Sequence, residues 1–271
     1  MYRARRNLLI GGAVAALAAV LSAKCAKGGH LVPGRSGPRK RPPGRPKPRI
    51  DEDIGPTLAR LDAWYVAHLS DDRYAFNPPA SEQQLDSFER IVGIRLPRSY
   101  RQLYRWHDGE DDDRWGHIYG LPLLSLRAAA FQWNAWNAVL ADFGGDRYKI
   151  AGDAWPKGAV DPAYINPRWI PLTHDGSGNH IGLDFDPWPA GRIGQVILYG
   201  RDEDVKGVLA PSLGSFLDWI ADLLERGNFT IQTDGKALRQ FGLKVPPADS
   251  FMDGARKLVG APGPFVSTRS G

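Results

Sequence analysis

The most regular alternation of apolar and polar positions runs from Trp169 to Tyr199. Ile170 and Leu172 share one face of a first strand, Ile181, Leu183 and Phe185 one face of a second, and Val196 and Leu198 one face of a third. Asp175-Gly176-Ser177-Gly178 supplies the positive-φ positions of a tight connection, and Pro187, Pro189 and Gly191 break the pattern before the third strand. The pattern predicts a meander with one buried face. Its opposite, polar face carries His180, Asp184 and Asp186, so function is expected on that face or in the loops beside it.

Helical spacing precedes the strands. Leu58, Leu61, Tyr65 and Leu69 predict a helix from near Ile54, with Pro56 in its first turn. Ser81-x-x-Gln84 reads as a capping box opening a second helix, with Leu85, Phe88, Ile91 and Val92 inward and Gly93 as its left-handed end. Pro97 starts a third, whose apolar face is Tyr100, Leu103, Tyr104 and Trp106 and whose stop is Gly109. After Gly227 apolar residues thin out. Phe251, Ala255, Leu258 and Val259 predict one short amphipathic helix beyond Pro246-Pro247, and Gly260 to Gly271 reads as a frayed end.

Charge divides the chain more sharply than its net value of +5 suggests. Twelve of the 35 basic residues, and none of the 30 acidic ones, precede Asp51, which leaves 23 basic against 30 acidic residues in the remainder. An acidic globule attracts basic partners and excludes nucleic acid as a ligand. Arg3, Arg5 and Arg6 precede the apolar run Leu8 to Ala23, so residues 1–27 read as a signal peptide or a membrane anchor. Arg5-Arg6-Asn7-Leu8-Leu9 resembles a twin-arginine export signal and implies a cell-envelope location. The excess of basic residues after the run favours the opposite placement, on the cytoplasmic face of the membrane. Residues 28–50, rich in Pro, Gly, Arg and Lys, read as an extended basic linker, either a solvated spacer or a stretch lying on anionic lipid. The domain boundaries expected are therefore 51–227 for the globule and 228–271 for a C-terminal tail. Cys25 is the single cysteine, so no internal disulfide supports the fold.

The order of motifs within the globule is more specific than any one of them. Glu89-x-x-x-Gly93-x-x-Leu96-Pro97-x-x-Tyr100-x-x-Leu103-Tyr104 runs into Trp106-His107-Asp108-Gly109. Gly120-Leu121-Pro122-Leu123-Leu124-Ser125-Leu126 follows with Trp133 downstream. Then come Trp169-Ile170-Pro171, Asp175-Gly176-Ser177-Gly178-Asn179, Leu183-Asp184-Phe185-Asp186-Pro187, Gly194-Gln195-Val196 and Ser215-Phe216-Leu217-Asp218-Trp219-Ile220. This series, from Thr57 to Gly227, resembles the SUKH superfamily of fungal cell-wall-assembly regulators and bacterial contact-toxin immunity proteins. The resemblance implies a single α+β domain with helices packed on one face of a mainly antiparallel sheet, and a role in binding rather than catalysis.

Two sets of side chains invite a chemical reading. His174, His180, Asp184 and Asp186 could ligate a metal if a hairpin gathered them, but outward aspartates before proline are more often solvated or turn-capping residues. No metal and no cofactor are therefore expected. Glu110-Asp111-Asp112-Asp113 and Asp202-Glu203-Asp204 are acidic runs, readable either as solvated loops or as sites steering a basic partner. Of the tryptophans, Trp64, Trp106 and Trp219 lie on helical apolar faces. Trp133 and Trp136 share a helix with Phe131 in a spacing that prevents all three from pointing inward. Trp155 and Trp188 sit in Pro- and Gly-rich loops, as interface anchors or, for Trp188, as a lid on the sheet. No nucleophile–base order or phosphate loop occurs in the globule, so an enzyme is not expected. The candidate partner-binding residues are Glu110, Asp111, Asp112, Asp113, Trp155, Asp184, Asp186, Trp188, Asp202, Glu203 and Asp204. The function expected first is an immunity protein that neutralises a basic toxin, second a cell-envelope adaptor or wall-assembly regulator, and a distant third a metal-dependent hydrolase.

Overall fold

The structure, a computed structural model, describes residues 40–69, 74–110, 116–150, 152–234 and 237–263. The expected signal or anchor segment, residues 1–27, lies outside them, as do Asp111, Asp112 and Asp113. Three helices come first: α1 (Gly55–His68), α2 (Glu82–Val92) and α3 (Arg98–Trp106). The capping box forms as its spacing requires. Ser81 Oγ accepts from the Gln84 amide at 3.3 Å, and the Gln84 side chain accepts from the Ser81 amide at 2.9 Å. Gly93, at φ +65°, closes α2 in the left-handed conformation that costs a side chain-bearing residue most. Leu85, Phe88 and Val92 face the core, whereas Ile91 is 47% exposed because it falls at the margin of that stripe. Helix α3 ends at an extended His107 rather than at Gly109, which lies two residues beyond.

Helix α4 (Leu126–Asp142) leads into the sheet. Its strands are β1 (Asp153–Trp155), β2 (Trp169–Pro171), β3 (Asn179–Asp184), β4 (Gln195–Gly200) and β5 (Val205–Ala210). The spatial order is β1-β5-β4-β3-β2, with β1 parallel to β5 and every other pair antiparallel. Ile181 pairs with Leu198 and Leu183 with Val196. The seven residues predicted for one sheet face all enter the main core, under the helices. The fold is the α+β arrangement expected, with a mainly antiparallel sheet.

The second sheet face is not the solvent-facing polar surface that the alternation suggested. Strands β3 and β4 are buried at every position. The reason is α4, which is apolar on two sides: Leu126, Ala129 and Ala130 join the main core, while Trp136 and Val139 form a second cluster with Tyr164 and Ile165. Ala159, Val160 and Ala163 then cover Trp169, Ile197 and Tyr199. The crowding of Trp133 and Trp136 is resolved by this division, and Trp133 packs half-buried with its Nε1 donating to Pro167 O at 2.9 Å.

Both ends of the described chain also pack. Helix α5 (Leu213–Glu225) is followed by a hairpin, β6 (Phe229–Asp234) and β7 (Ala237–Leu243), and by α6 (Phe251–Leu258), the predicted short helix. Phe241 stacks 5.0 Å from Tyr119 and Phe251 4.8 Å from Tyr119, so the tail completes the main core. At the other end, residues 40–50, expected as a free linker, lie along the turn before β4. Lys47 N donates to Gly191 O at 2.9 Å, and Ile193 N to Lys47 O at 3.0 Å. Gly191 is needed for packing on the other side of the turn, where a Cβ would meet Ala159 O at 2.1 Å. Among the described residues no helix is long and apolar enough to cross a membrane.

Candidate functional site

The predicted site residues occupy three separate places. Glu110 is the clearest correction, because it is 2% exposed rather than part of a solvated run. It accepts from the amides of His117 at 3.0 Å and Leu123 at 3.1 Å, and it contacts His117 Nδ1. Burial raises its pKa, and His117 opposes that rise. A carboxylate so enclosed fastens the acidic loop to the Leu123 strand-like segment and is not available to a partner.

The second place is the end of the meander. Asp184 lies fully buried and accepts from Asp186 N at 2.9 Å, Trp169 Nε1 at 3.2 Å and Gln195 Nε2 at 3.0 Å. Burial pushes its pKa up to about 7. Asp186 is half-buried and is held by Arg41 at 2.9 Å, Asn166 at 3.2 Å and Arg147 at 3.3 Å. Burial alone would raise its pKa, but Arg41, Asn166 and Arg147 together bring it below the usual carboxylate value. Trp188 is buried, and its carbonyl accepts from Gly191 N at 2.8 Å within its own turn.

The His and Asp set weighed above as a metal site is dispersed. His180 and Asp184 are four residues apart on β3, or roughly 13 Å at an ordinary strand rise. Both ring nitrogens of His180 are already committed: Nε2 accepts from Trp136 Nε1 at 3.0 Å, and Nδ1 lies 3.0 Å from Thr173 O. That arrangement fixes the Nδ1–H tautomer, and burial lowers the pKa to about 4, so the ring is neutral. His174 Nδ1 accepts from Gly176 N at 3.1 Å within its own turn. Among the described residues no group of three or more His, Cys, Asp or Glu is arranged to hold a metal.

The third place is the β1/β5 end of the sheet. Trp155 pairs with Gly207 and is 40% exposed. Asp202 is partly exposed, paired with Arg201 at 2.9 Å, and its amide donates to Asn179 at 2.8 Å. Asp204 contributes its carbonyl to Asp153 N at 2.8 Å. Glu203, by contrast, is buried in an ion pair with Arg256 of α6. Its expected outward role fails because the tail helix carries Arg256 over it.

An open, charged trough lies beside α2, away from all of the expected site residues that the structure describes. One part encloses about 650 Å³ between Gln83, Asp86, Glu89, Arg90, Gly93, Ile94 and Arg95. An adjoining part of about 560 Å³ shares Asp86, Glu89 and Arg95 and extends to Arg49, Asp51, Leu96, Arg98 and Arg101. Arg101 is its crossbar, bound to Glu82 at 2.6 Å, Asp86 at 2.8 Å and Glu89 at 3.0 Å. Glu89 Oε1 also accepts from Leu96 N at 3.0 Å, which fixes the turn carrying Arg95 to the helix. Arg90 and Arg95 have no ion pair among the described residues. The missed signal was a pair of helical stripes: Glu82, Asp86 and Glu89 on α2, and Arg98, Arg101 and Arg105 on α3.

The capped helices over one sheet face and the meander with its covered second face define an α+β domain of the SUKH class. The chain belongs to the SMI1/KNR4 family (SUKH-1), whose family model matches residues 79–219. It is 33% identical over 214 residues to the cell wall biosynthesis/cell cycle regulator smi1 of Schizosaccharomyces pombe, covering 74% of this chain and 42% of that protein. It is 29% identical over 206 residues to the cell wall assembly regulator SMI1 of Saccharomyces cerevisiae, covering 64% and 41%. A glucan synthesis regulatory protein of Neurospora crassa is 26% identical over 218 residues, covering 69% and 41%. The match thus spans about two fifths of the length of these relatives.

Proposed function

We propose that this domain is a non-catalytic protein-docking module serving regulation of cell-wall assembly. The observation that carries the reading is the division of labour among charged groups. Glu110, Asp184 and His180, the buried groups best placed for chemistry, spend their hydrogen-bonding capacity inside the fold. One set of accessible charges lines an open trough on rigid helices, where Arg90 and Arg95 lack a carboxylate partner among the described residues. Such a surface recognises a protein segment of mixed charge with an acidic contribution opposite those two arginines. The names of the relatives favour wall regulation over the toxin-immunity reading, which no observation here specifically favours.

Grafting tests this directly. Residues 40–263 would replace the matching region of the Saccharomyces cerevisiae relative in cells lacking that protein. The graft should restore growth under wall stress, and Arg90→Glu with Arg95→Glu should abolish the rescue at unchanged protein level. A graft that accumulates normally yet rescues nothing would exclude the wall-regulator reading. Rescue that is indifferent to the two charge reversals would place docking elsewhere on the domain.

A further inference from the structure

Residues 41–49, the docked strap, are held by backbone pairing and arginine side chains rather than by a buried apolar side chain. Lys47 exchanges two backbone hydrogen bonds with the turn, forming a parallel bridge to Arg192, while its side chain stays in solvent. Arg192 Nη1 donates to Pro48 O at 2.7 Å. Six residues upstream of Lys47, Arg41 donates to Asp186 Oδ1 at 2.9 Å and to Pro187 O at 2.5 Å. Between these anchors Gly44 passes over Pro189, where a Cβ would sit 3.2 Å from the proline ring. The strap itself reads Arg-Pro-Pro-Gly-Arg-Pro-Lys-Pro-Arg over residues 41–49, a composition pre-set to extended backbone that loses little entropy on docking.

These contacts are those of a peptide-recognition surface: main-chain pairing for affinity, one carboxylate for register, and a glycine laid against Pro189 for spacing. We propose that the turn from Asp186 to Ile193 is a receptor for extended, arginine- and proline-rich segments, occupied here in cis by residues 41–49, and that a partner's segment of the same chemistry displaces this strap. The receptor turn shares no residue with the α2 trough, which the strap reaches only through Arg49, and the inference stands whether or not the trough docks a wall-assembly partner. Because the strap is tethered, it competes at an effective concentration in the millimolar range, so a free segment meets a partly closed site.

The test uses the full chain and a fluorescent peptide of residues 40–50. Anisotropy should show weak binding to the unaltered protein and at least tenfold tighter binding to a chain carrying Arg41→Glu and Lys47→Pro, which removes the arginine contact and the amide donor in cis. Changes in the peptide, which leave the fold untouched, test the contacts: a peptide with Arg41→Gln, or with an N-methylated Lys47, should bind the released chain at least tenfold more weakly. Hydrogen exchange supplies a second measurement, because the Ile193 amide should exchange faster in the released chain and recover protection when peptide is added. Equal affinity for both chains, or an unaltered affinity for the modified peptides, would overturn the proposal. So would a released chain that pairs with a second copy instead of binding the peptide.

Discussion

Glu110 and His117 face each other inside the domain, and their contact closes a loop whose next three residues are all aspartate. Glu110→Ala would leave the His117 and Leu123 amides without an acceptor in a buried setting. The expected loss is about 2–4 kcal/mol, read from the midpoint of urea unfolding. Glu110→Gln, which keeps one acceptor, should lose less. Any test of this loop as a charge-steering element therefore alters Asp111, Asp112 and Asp113 with Glu110 intact.

The tail behaves as core. Phe251 stacks on Tyr119, and Arg256 on the same helix meets Glu203 beside β5. Phe251→Ala should cost about 3–5 kcal/mol by cavity formation, and a chain ending at Gly227 should lose its cooperative melt. Circular dichroism of the two variants measures both outcomes. A Gly227-terminated chain that melts like the whole protein would show that the hairpin and α6 add nothing to the core.

Part of this organisation was legible from residue pattern and part was not. Side chains at period 2 in the meander and at helical spacing in α1, α2 and α3 report burial directly, so their faces could be read. The covered second face could not, because strand alternation marks which side a residue takes and is silent on whether another layer lies there. His180 looks like a surface residue until α4 is placed, and Asp184 until residues 159–163 are. The β6–β7 hairpin had a local signal, Phe229 and Ile231 alternating before Asp234-Gly235, but sparse apolar content masked it. Glu203 and Glu110 became internal through partners distant in sequence or across a turn, which charge runs alone do not encode.

Asp184 gives a pH dependence of definite sign. Its folded pKa, about 7, lies above the ordinary aspartate value, so the folded protein binds a proton that the unfolded chain has released. The stability it contributes is fully present below about pH 4 and is lost as pH rises toward 7. Within that window its share of the slope approaches about 1.4 kcal/mol per pH unit. Asp184→Asn should flatten stability between pH 4 and 7, whatever it does to the absolute value. Guanidinium titrations at several pH values would test this, and an unchanged slope would assign the proton to another group.

Beside the trough, Arg101 holds three carboxylates that would otherwise repel, and it shares Glu82 with Arg105. Arg101→Met preserves the apolar stem but leaves Asp86 and Glu89 without a cation and Glu82 with Arg105 alone, so the loss should be about 1 kcal/mol at neutral pH and low salt. Glu89 separates two contributions. Glu89→Gln keeps an oxygen for the Leu96 amide and gives up only the charge, whereas Glu89→Ala gives up both, and the difference between them reports the turn's hydrogen bond. The sign with pH follows from Glu82, whose pKa hydrogen bonds from Arg105 and Arg101 lower to about 2. A depressed carboxylate stabilises above its unfolded pKa and loses that contribution as pH falls toward 2. Arg101→Met should therefore be most harmful near pH 7 and approach the unaltered protein in acid, where the three carboxylates protonate. Urea unfolding at pH 7, 4.5 and 2.5 measures the convergence, and a deficit that persists undiminished at pH 2.5 would show that Arg101 acts through packing rather than charge.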